Sequence, residues 1–149
     1  MLFRSLILRA LVLVAATVAV SVGVTAAAVP PPVVPPGWHQ VRSANSTGRM
    51  FVSPDGLARI RFGHEPARNP DHYIRRPGER VTYQAGGASW FVVSGYLDDE
   101  IFYRKGNLAC GGSRWNLIEF RYPREAKRQM DNTVSMVAHN MGAYRRDCG

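Results

Sequence analysis

The segment of residues 80–106 constrains the fold of this chain more than any other part of the sequence, because it predicts three consecutive strands. It reads RVTYQAGGASWFVVSGYLDDEIFYRKG. Residues 81–84 are rich in β-branched and aromatic residues, which suit a pleated, half-buried surface. The two glycines in residues 85–88 can adopt positive φ, as a tight hairpin requires. The pattern therefore predicts an antiparallel meander.

Residues 89–94 form the most apolar strand of this meander. Apolar side chains point to both faces of this strand at residues 90–93, WFVV. Strict alternation of apolar and polar residues would instead indicate a strand with one solvent-exposed face. Residues 95–100 then predict a polar turn, and residues 101–104 return the chain. We expect the C-terminal helix described below to cover the second face of residues 90–93.

The first 28 residues have the composition of a secretory signal peptide. Arg4 and Arg9 precede an apolar stretch at residues 10–24, and the small residues 25–28 suit a signal peptidase. The alternative is an uncleaved N-terminal membrane anchor, because residues 10–28 approach the length that spans a bilayer. We expect cleavage, which places a mature chain of 121 residues in the periplasm or outside the cell.

Residues 29–37, VPPPVVPPG, contain five of the ten prolines and predict an extended spacer. A single α+β domain is expected over residues 38–149. Near its start, residues 49–52 and 57–62 predict a hairpin joined by Ser53-Pro54-Asp55-Gly56. Residues 63–79 place three prolines among charged residues, which predicts a long surface loop with one helical turn near residues 71–75.

The C-terminal part predicts one more strand and one helix. Residues 114–122, RWNLIEFRY, alternate, and Pro123 suits the first position of a helix, where its missing amide donor costs nothing. Apolar residues recur at helical spacing as far as Met141, and Gly142 suits a helix cap. We therefore predict an antiparallel sheet of about six strands with the helix of residues 123–141 packed on one face.

Cys110 and Cys148 are the two cysteines of the chain. An exported chain meets an oxidising compartment, in which a pair of cysteines forms a disulfide. We expect one Cys110–Cys148 bridge that ties the end of the chain to the loop before the last strand.

The formal net charge is +8, and loss of Arg4 and Arg9 with the leader leaves +6. A basic exported domain is attracted to anionic envelope material, such as phospholipid headgroups, lipopolysaccharide or acidic polymers. The sequence contains no nucleic-acid recognition module, so nucleic acid is not an expected partner. Nothing in the pattern indicates an oligomeric state.

His64, Glu65, Asp71 and His72 form the best nominal metal or acid–base cluster. Their residue types suit metal ligation, but their spacing matches no metal-ligand motif. No set of nucleophile, base and orienting acid can be assembled elsewhere. We therefore assign no catalytic residue and no cofactor.

Several of these segments together resemble a known group of sequences. The chain resembles uncharacterised small exported proteins of alphaproteobacteria. The resemblance is carried by the segments GRMFVSPDG, VTYQAGGASWFVVSG and IFYRK, and by the closing strand, Tyr122-Pro123 and the helix that follow them. The resemblance covers residues 38–148 and implies no activity. In the order of its elements alone, the chain is also similar to PsbP-like domains, in which helices flank an antiparallel sheet.

Three hypotheses for function follow. The first is a non-enzymatic exported domain that binds or scaffolds at the envelope. The second is an envelope hydrolase or metal-dependent enzyme that uses the loop of residues 63–79. The third is an inhibitor of a secreted enzyme, which would present an exposed loop such as residues 96–100.

Overall fold

The computed structural model describes residues 34–42, 48–141 and Cys148. The leader, the first part of the spacer and the expected helix cap Gly142 lie outside these residues. Within them, seven strands form one sheet in the order β1-β2-β3-β7-β6-β5-β4, with every neighbouring pair antiparallel. The strands are β1 (His39–Val41), β2 (Gly48–Val52), β3 (Arg59–Pro66), β4 (Arg80–Gly87), β5 (Trp90–Leu97), β6 (Glu100–Ala109) and β7 (Arg114–Pro123).

Two α-helices accompany the sheet in the described residues. The short α1 (Asp71–Ile74) lies where one helical turn was predicted, and α2 (Lys127–His139) follows the last strand. A 3-10 turn at Arg124–Ala126 stands where the helix was expected to begin, so regular helix starts only at Lys127. The predicted α+β class, with an antiparallel sheet and a C-terminal helix, is confirmed.

The meander is confirmed, but its strands are longer and its turns shorter than predicted. Only Ala88-Ser89 and Asp98-Asp99 lie between the strands. Gly95 belongs to β5 rather than to a polar turn, because it pairs with Phe102 of β6. A side chain at Gly95 would collide with the carbonyl oxygen of Arg80, next to a bulge in β4. Close approach of the backbones therefore requires this glycine inside the strand.

β3 continues four residues past its predicted end. Residues 63–66 were expected to begin the surface loop, but they pair with residues 114–117 of β7. A long neighbouring strand that offers backbone partners outweighs the local signal of Gly63 and Pro66. The loop between β3 and β4 is therefore the segment of residues 67–79, which we call the crossing segment.

One side of the sheet packs against α2, and we call it the helix face. Ile60 and Phe62 of β3 and Ile118 and Phe120 of β7 are fully or almost fully buried there. From α2, the side chains of Met130, Val134 and Val137 complete this cluster. The predicted alternation of β7, with residues 116, 118, 120 and 122 on one face, is confirmed by its pairing with β3.

The opposite side packs against the crossing segment, and we call it the loop face. Tyr73 and Ile74 of α1 pack there against a cluster that includes Phe91, Val93 and Phe102. We expected α2 to cover the second face of residues 90–93, and this is wrong. α2 lies over β7 and β6, nearer the middle of the sheet, and Trp90 on the helix face of β5 remains 42% exposed.

A buried ionic network fastens the crossing segment to the loop face. Arg104 is 0% exposed, and its guanidinium donates to the Tyr73 carbonyl oxygen at 2.7 Å and to Glu79 Oε1 at 2.5 Å. Its Nε lies 3.3 Å from Glu119 Oε2. Glu119 also accepts from Arg76 Nη1 at 2.8 Å and from Arg121 Nε at 2.9 Å. The network joins β6, β7 and the crossing segment.

The pKa of Glu119 shows which effect wins in this network. Burial raises the pKa, but the positive charges of Arg104, Arg76, Arg121 and Arg61 together outweigh burial and lower it from 4.5 to about 2. The carboxylate is therefore ionised across the physiological range.

The predicted disulfide between Cys110 and Cys148 is present, with Cα atoms 5.5 Å apart. Cys110 adopts a φ of 56° in a 3-10 turn that also contains Gly111 and Gly112. The bond indicates an oxidising compartment. Among the described residues, no helix is long and apolar enough to cross a bilayer.

The end of the proline-rich segment packs on the domain. Val34 and Trp38 lie against the core of the helix face. The Trp38 amide donates to the Pro35 carbonyl oxygen at 3.3 Å. Ordered packing therefore begins upstream of Trp38.

Acid titration should expose the contribution of Glu119. Because its pKa in the folded protein is about 2 and its usual value is 4.5, its stabilisation is complete above about pH 4.5 and is lost as the pH falls towards 2. The difference corresponds to about 3 kcal/mol. Urea unfolding between pH 7 and pH 2 should show this loss, and Glu119→Gln should remove that part of the pH dependence. The exposed Glu125→Gln is the matched control, and identical pH profiles for the two variants would contradict the assignment.

Loss of the disulfide should destabilise the fold. The bond closes a loop of 38 residues, which corresponds to about 4 kcal/mol in the chain-entropy model. Urea unfolding of the Cys110→Ser, Cys148→Ser double variant should show a decrease of this size relative to the oxidised protein. The reduced wild-type protein is the control and should match the variant. An unchanged free energy of unfolding in the variant would show that the bond does not constrain the unfolded chain.

Candidate functional site

The β4–β5 hairpin extends beyond the part of the helix face that α2 covers. Its helix-face side chains include Tyr83, which is 56% exposed, and Trp90. Tyr83 pairs with Ser94 across the hairpin, and Trp90 pairs with Gly87. Two large aromatic rings therefore lie in contact with solvent beside the covered core.

A groove of about 870 Å³ lies beside Trp90, at the end of the sheet where β5 begins and β6 ends. Trp90 and Val92 of β5 line it together with Lys105 and Asn107 of β6, and the Cys110–Cys148 disulfide lines it as well. The register explains this arrangement, because Trp90 is opposite Asn107 and Val92 is opposite Lys105.

Two polar side chains of the groove are held by the end of α2 and by the turn that follows it. Lys105 Nζ donates to the Ala138 carbonyl oxygen at 3.0 Å. Asn107 Nδ2 donates to the sulfur of Met141 at 3.3 Å. These contacts fix the positions of an ammonium and an amide next to the Trp90 ring, as is typical of sites that orient a ligand with a few polar groups.

A second, smaller cavity of about 270 Å³ lies nearer the start of α2, between the helix and β4, β5 and β6. Tyr96 and Tyr103 line it from the sheet, and Asp131 and Ser135 line it from the helix. Burial raises the pKa of the Tyr103 hydroxyl, with a smaller contribution from Tyr83. The hydroxyl is therefore protonated at neutral pH and can act as a hydrogen-bond donor.

Two arginines flank this second cavity. The guanidinium carbons of Arg80 and Arg124 lie 5.0 and 4.4 Å from the centre of the Tyr96 ring. Arg124 Nη2 also donates to the Asp98 carbonyl oxygen at 2.5 Å. Neither arginine forms an ion pair with a described residue, whereas the nearby Lys127 pairs with Asp131 at 2.9 Å.

The structure does not bring the four candidate metal-binding residues together. His64 and Glu65 are adjacent in β3 and point to opposite faces. His64 Nδ1 lies 2.9 Å from Asn116 Oδ1, and Glu65 Oε1 lies 3.5 Å from Arg61 Nη2. His72 accepts from Arg68 at 3.3 Å, and Asp71 is exposed. The described residues contain no group of three or more His, Cys, Asp or Glu side chains placed to hold a metal ion.

The segment of residues 96–100, which the inhibitor hypothesis requires to be an exposed loop, is a tight hairpin. Tyr96 and Leu97 belong to β5 and Glu100 begins β6, so the turn consists of Asp98 and Asp99. Glu100 pairs with Arg59 at 2.7 Å. The exposed part of this segment is therefore two residues long.

Sequence reasoning missed the exposed aromatic surface because it assigned residues 90–93 to a strand buried on both sides. One signal could have indicated it. Residues 81–97 contain no charged side chain, although the chain as a whole contains 30. An uncharged hairpin near the edge of a basic domain is typical of a surface that binds another molecule.

Comparison of the sequence with protein-family models finds no matching family, and comparison with curated proteins finds no match. The candidate site is therefore defined by its geometry.

Proposed function

We propose that this protein is an exported, non-enzymatic binding domain that holds an anionic envelope component in the groove beside α2. The observation that carries the proposal is the exposed Trp90 ring at the mouth of a groove of about 870 Å³. The ligand contributes an apolar portion, which packs on the ring, and an anionic portion, which the basic surface attracts.

The aromatic part of the proposal follows from the energetic cost of exposure. A tryptophan side chain buries 150–250 Å² when it is covered, so leaving its ring in water sacrifices a large favourable term. Trp115 in the same sheet is 2% exposed, whereas Trp90 is 42% exposed. A ligand that covers Trp90 and Val92 recovers the contribution of that apolar surface.

The electrostatic part follows from the distribution of charge. The chain carries a formal charge of +8, which attracts anions over the whole surface. Arg80 and Arg124 are held on Tyr96 without a carboxylate partner among the described residues. These two arginines flank the second cavity rather than the groove. Because the adjacent turn holds the acidic residues Asp98 and Asp99, an anion is favoured there only where it contacts the two guanidinium groups directly.

Two observations support export. The composition of residues 1–28 is that of a signal peptide. The Cys110–Cys148 disulfide fits a periplasmic or extracellular location, where such bonds persist.

Titration of the mature protein with three anionic or neutral materials tests the proposal. Phosphatidylglycerol vesicles and lipopolysaccharide are the anionic ligands, and phosphatidylcholine vesicles are the neutral control. Binding to at least one anionic ligand should weaken as salt is added. Trp90→Ala should weaken that binding about tenfold, since an aromatic contact of this kind contributes about 0.5–1.5 kcal/mol beyond its buried area.

Matched variants separate the groove from the rest of the surface. Leu57→Ala removes another exposed apolar side chain, far along the chain in the β2–β3 turn, and should leave affinity unchanged. Trp90→Phe should keep most of the affinity while removing the fluorescence change on binding. Equal affinity of the wild type and Trp90→Ala, or no binding to either anionic ligand at low salt, would refute the proposal.

A further inference from the structure

The strand at one edge of the sheet has an uncovered backbone. β4 is the last strand in the order, and β5 is its neighbour. In an antiparallel strand, every second residue directs its N–H and C=O groups away from that neighbour. Among the described residues, no β4 backbone group forms a hydrogen bond other than those with β5. The outer side of β4 therefore offers unpaired donors and acceptors to solvent.

The two edges of the sheet differ in how they are protected. Natural edge strands are shortened, charged, interrupted by proline or covered, because a long free edge pairs with other chains. β1 has three residues and follows Pro35 and Pro36. β4 has eight residues, and its protective features, Arg80 and the bulge between Val81 and Tyr83, lie at one end. Residues 83–87 form a regular, uncharged edge.

We infer that β4 pairs antiparallel with β4 of a second copy of this chain, which joins two seven-stranded sheets across a two-fold axis. A strand that pairs antiparallel with its own copy obeys two-fold symmetry, the commonest symmetry of protein dimers. Two basic copies repel each other over most of their surfaces. They repel least at residues 81–97, which carry no charge.

One register fits the side chains of this edge. With Ala85 opposite its copy on the axis, each Tyr83 lies opposite Gly87 of the other chain, and each Gln84 lies opposite Gly86. Gly87 has no side chain and lies beside the Trp90 ring, since a Cβ built on it would be 3.3 Å from Trp90 Nε1. The exposed Tyr83 ring fills this space and reaches Trp90 of the other chain, as aromatic residues do opposite edge glycines.

The dimer leaves the groove open. Trp90 has Gly87 of β4 on one side and Asn107 of β6 on the other. The second copy's Tyr83 approaches from the β4 side, whereas the groove lies on the β6 side. Since the axis is perpendicular to the sheet, both grooves open on the same side of the dimer.

Sedimentation velocity of the mature protein from 1 to 500 μM tests the inference. A five-residue overlap is a small interface, so we expect reversible dimerisation with a dissociation constant in the micromolar range. Ala85→Lys places two like charges opposite each other on the axis and should abolish the dimer. Leu57→Lys adds the same charge in the β2–β3 turn and should leave the dimer intact.

A charge-swap mixture makes the test specific for this register. Ala85→Lys and Ala85→Glu should each be monomeric alone, and an equimolar mixture should form a heterodimer. If either variant unfolds, hydrogen exchange of the wild type is measured instead. The amides of residues 83–87 that point away from β5 should then gain protection between 1 and 500 μM. A wild-type monomer at 500 μM, a dimer that survives Ala85→Lys, or a mixture that stays monomeric would each overturn the inference.

Discussion

The charge of Arg104 is buried completely, and the loop face depends on how that charge is matched. An isolated guanidinium would be too costly to bury, so its partners must be present in the folded state. Glu119 lies directly opposite it on β7, while Glu79 and the Tyr73 carbonyl oxygen belong to the crossing segment. The same side-chain contacts therefore link β6 to β7 and hold the crossing segment over the hydrophobic cluster around Phe91 and Val93.

The placement of the two covering elements determines which surface stays open. The crossing segment covers the loop face over β5, β6 and β7, and α2 covers the helix face nearer the middle of the sheet. The part of the β4–β5 hairpin that carries Tyr83 and Trp90 on the helix face is left exposed by both. Trp90 and Tyr83 are exposed there as a consequence of this offset. The proposed groove and the proposed dimer edge both belong to this uncovered hairpin.

Patterns that depend on neighbouring residues were predictable from the sequence. They include the alternation of β7, the turn at Ser53-Pro54-Asp55-Gly56 and the helical spacing of α2. The disulfide was predictable for a different reason, because the sequence contains two cysteines and they can pair only with each other. Features set by distant partners were not. Glu79 and Glu119 have no local feature that identifies Arg104 as their partner. A strand that ends at Phe62 would leave His64 and Glu65 together in a loop, but pairing with β7 extends the strand and places the two side chains on opposite faces.

Hydrogen exchange of Glu79→Gln tests the central claim that the ionic contacts of Arg104 hold the crossing segment on the sheet. Glutamine keeps the shape of the side chain and removes its charge. Amides of residues 67–79 should lose protection at pH 7, while those of β6 and β7 should keep theirs, because Glu119 and the backbone pairing of these two strands remain. Unchanged protection of residues 67–79 in this variant would show that apolar packing of Tyr73 and Ile74 alone holds the segment, and would contradict the account.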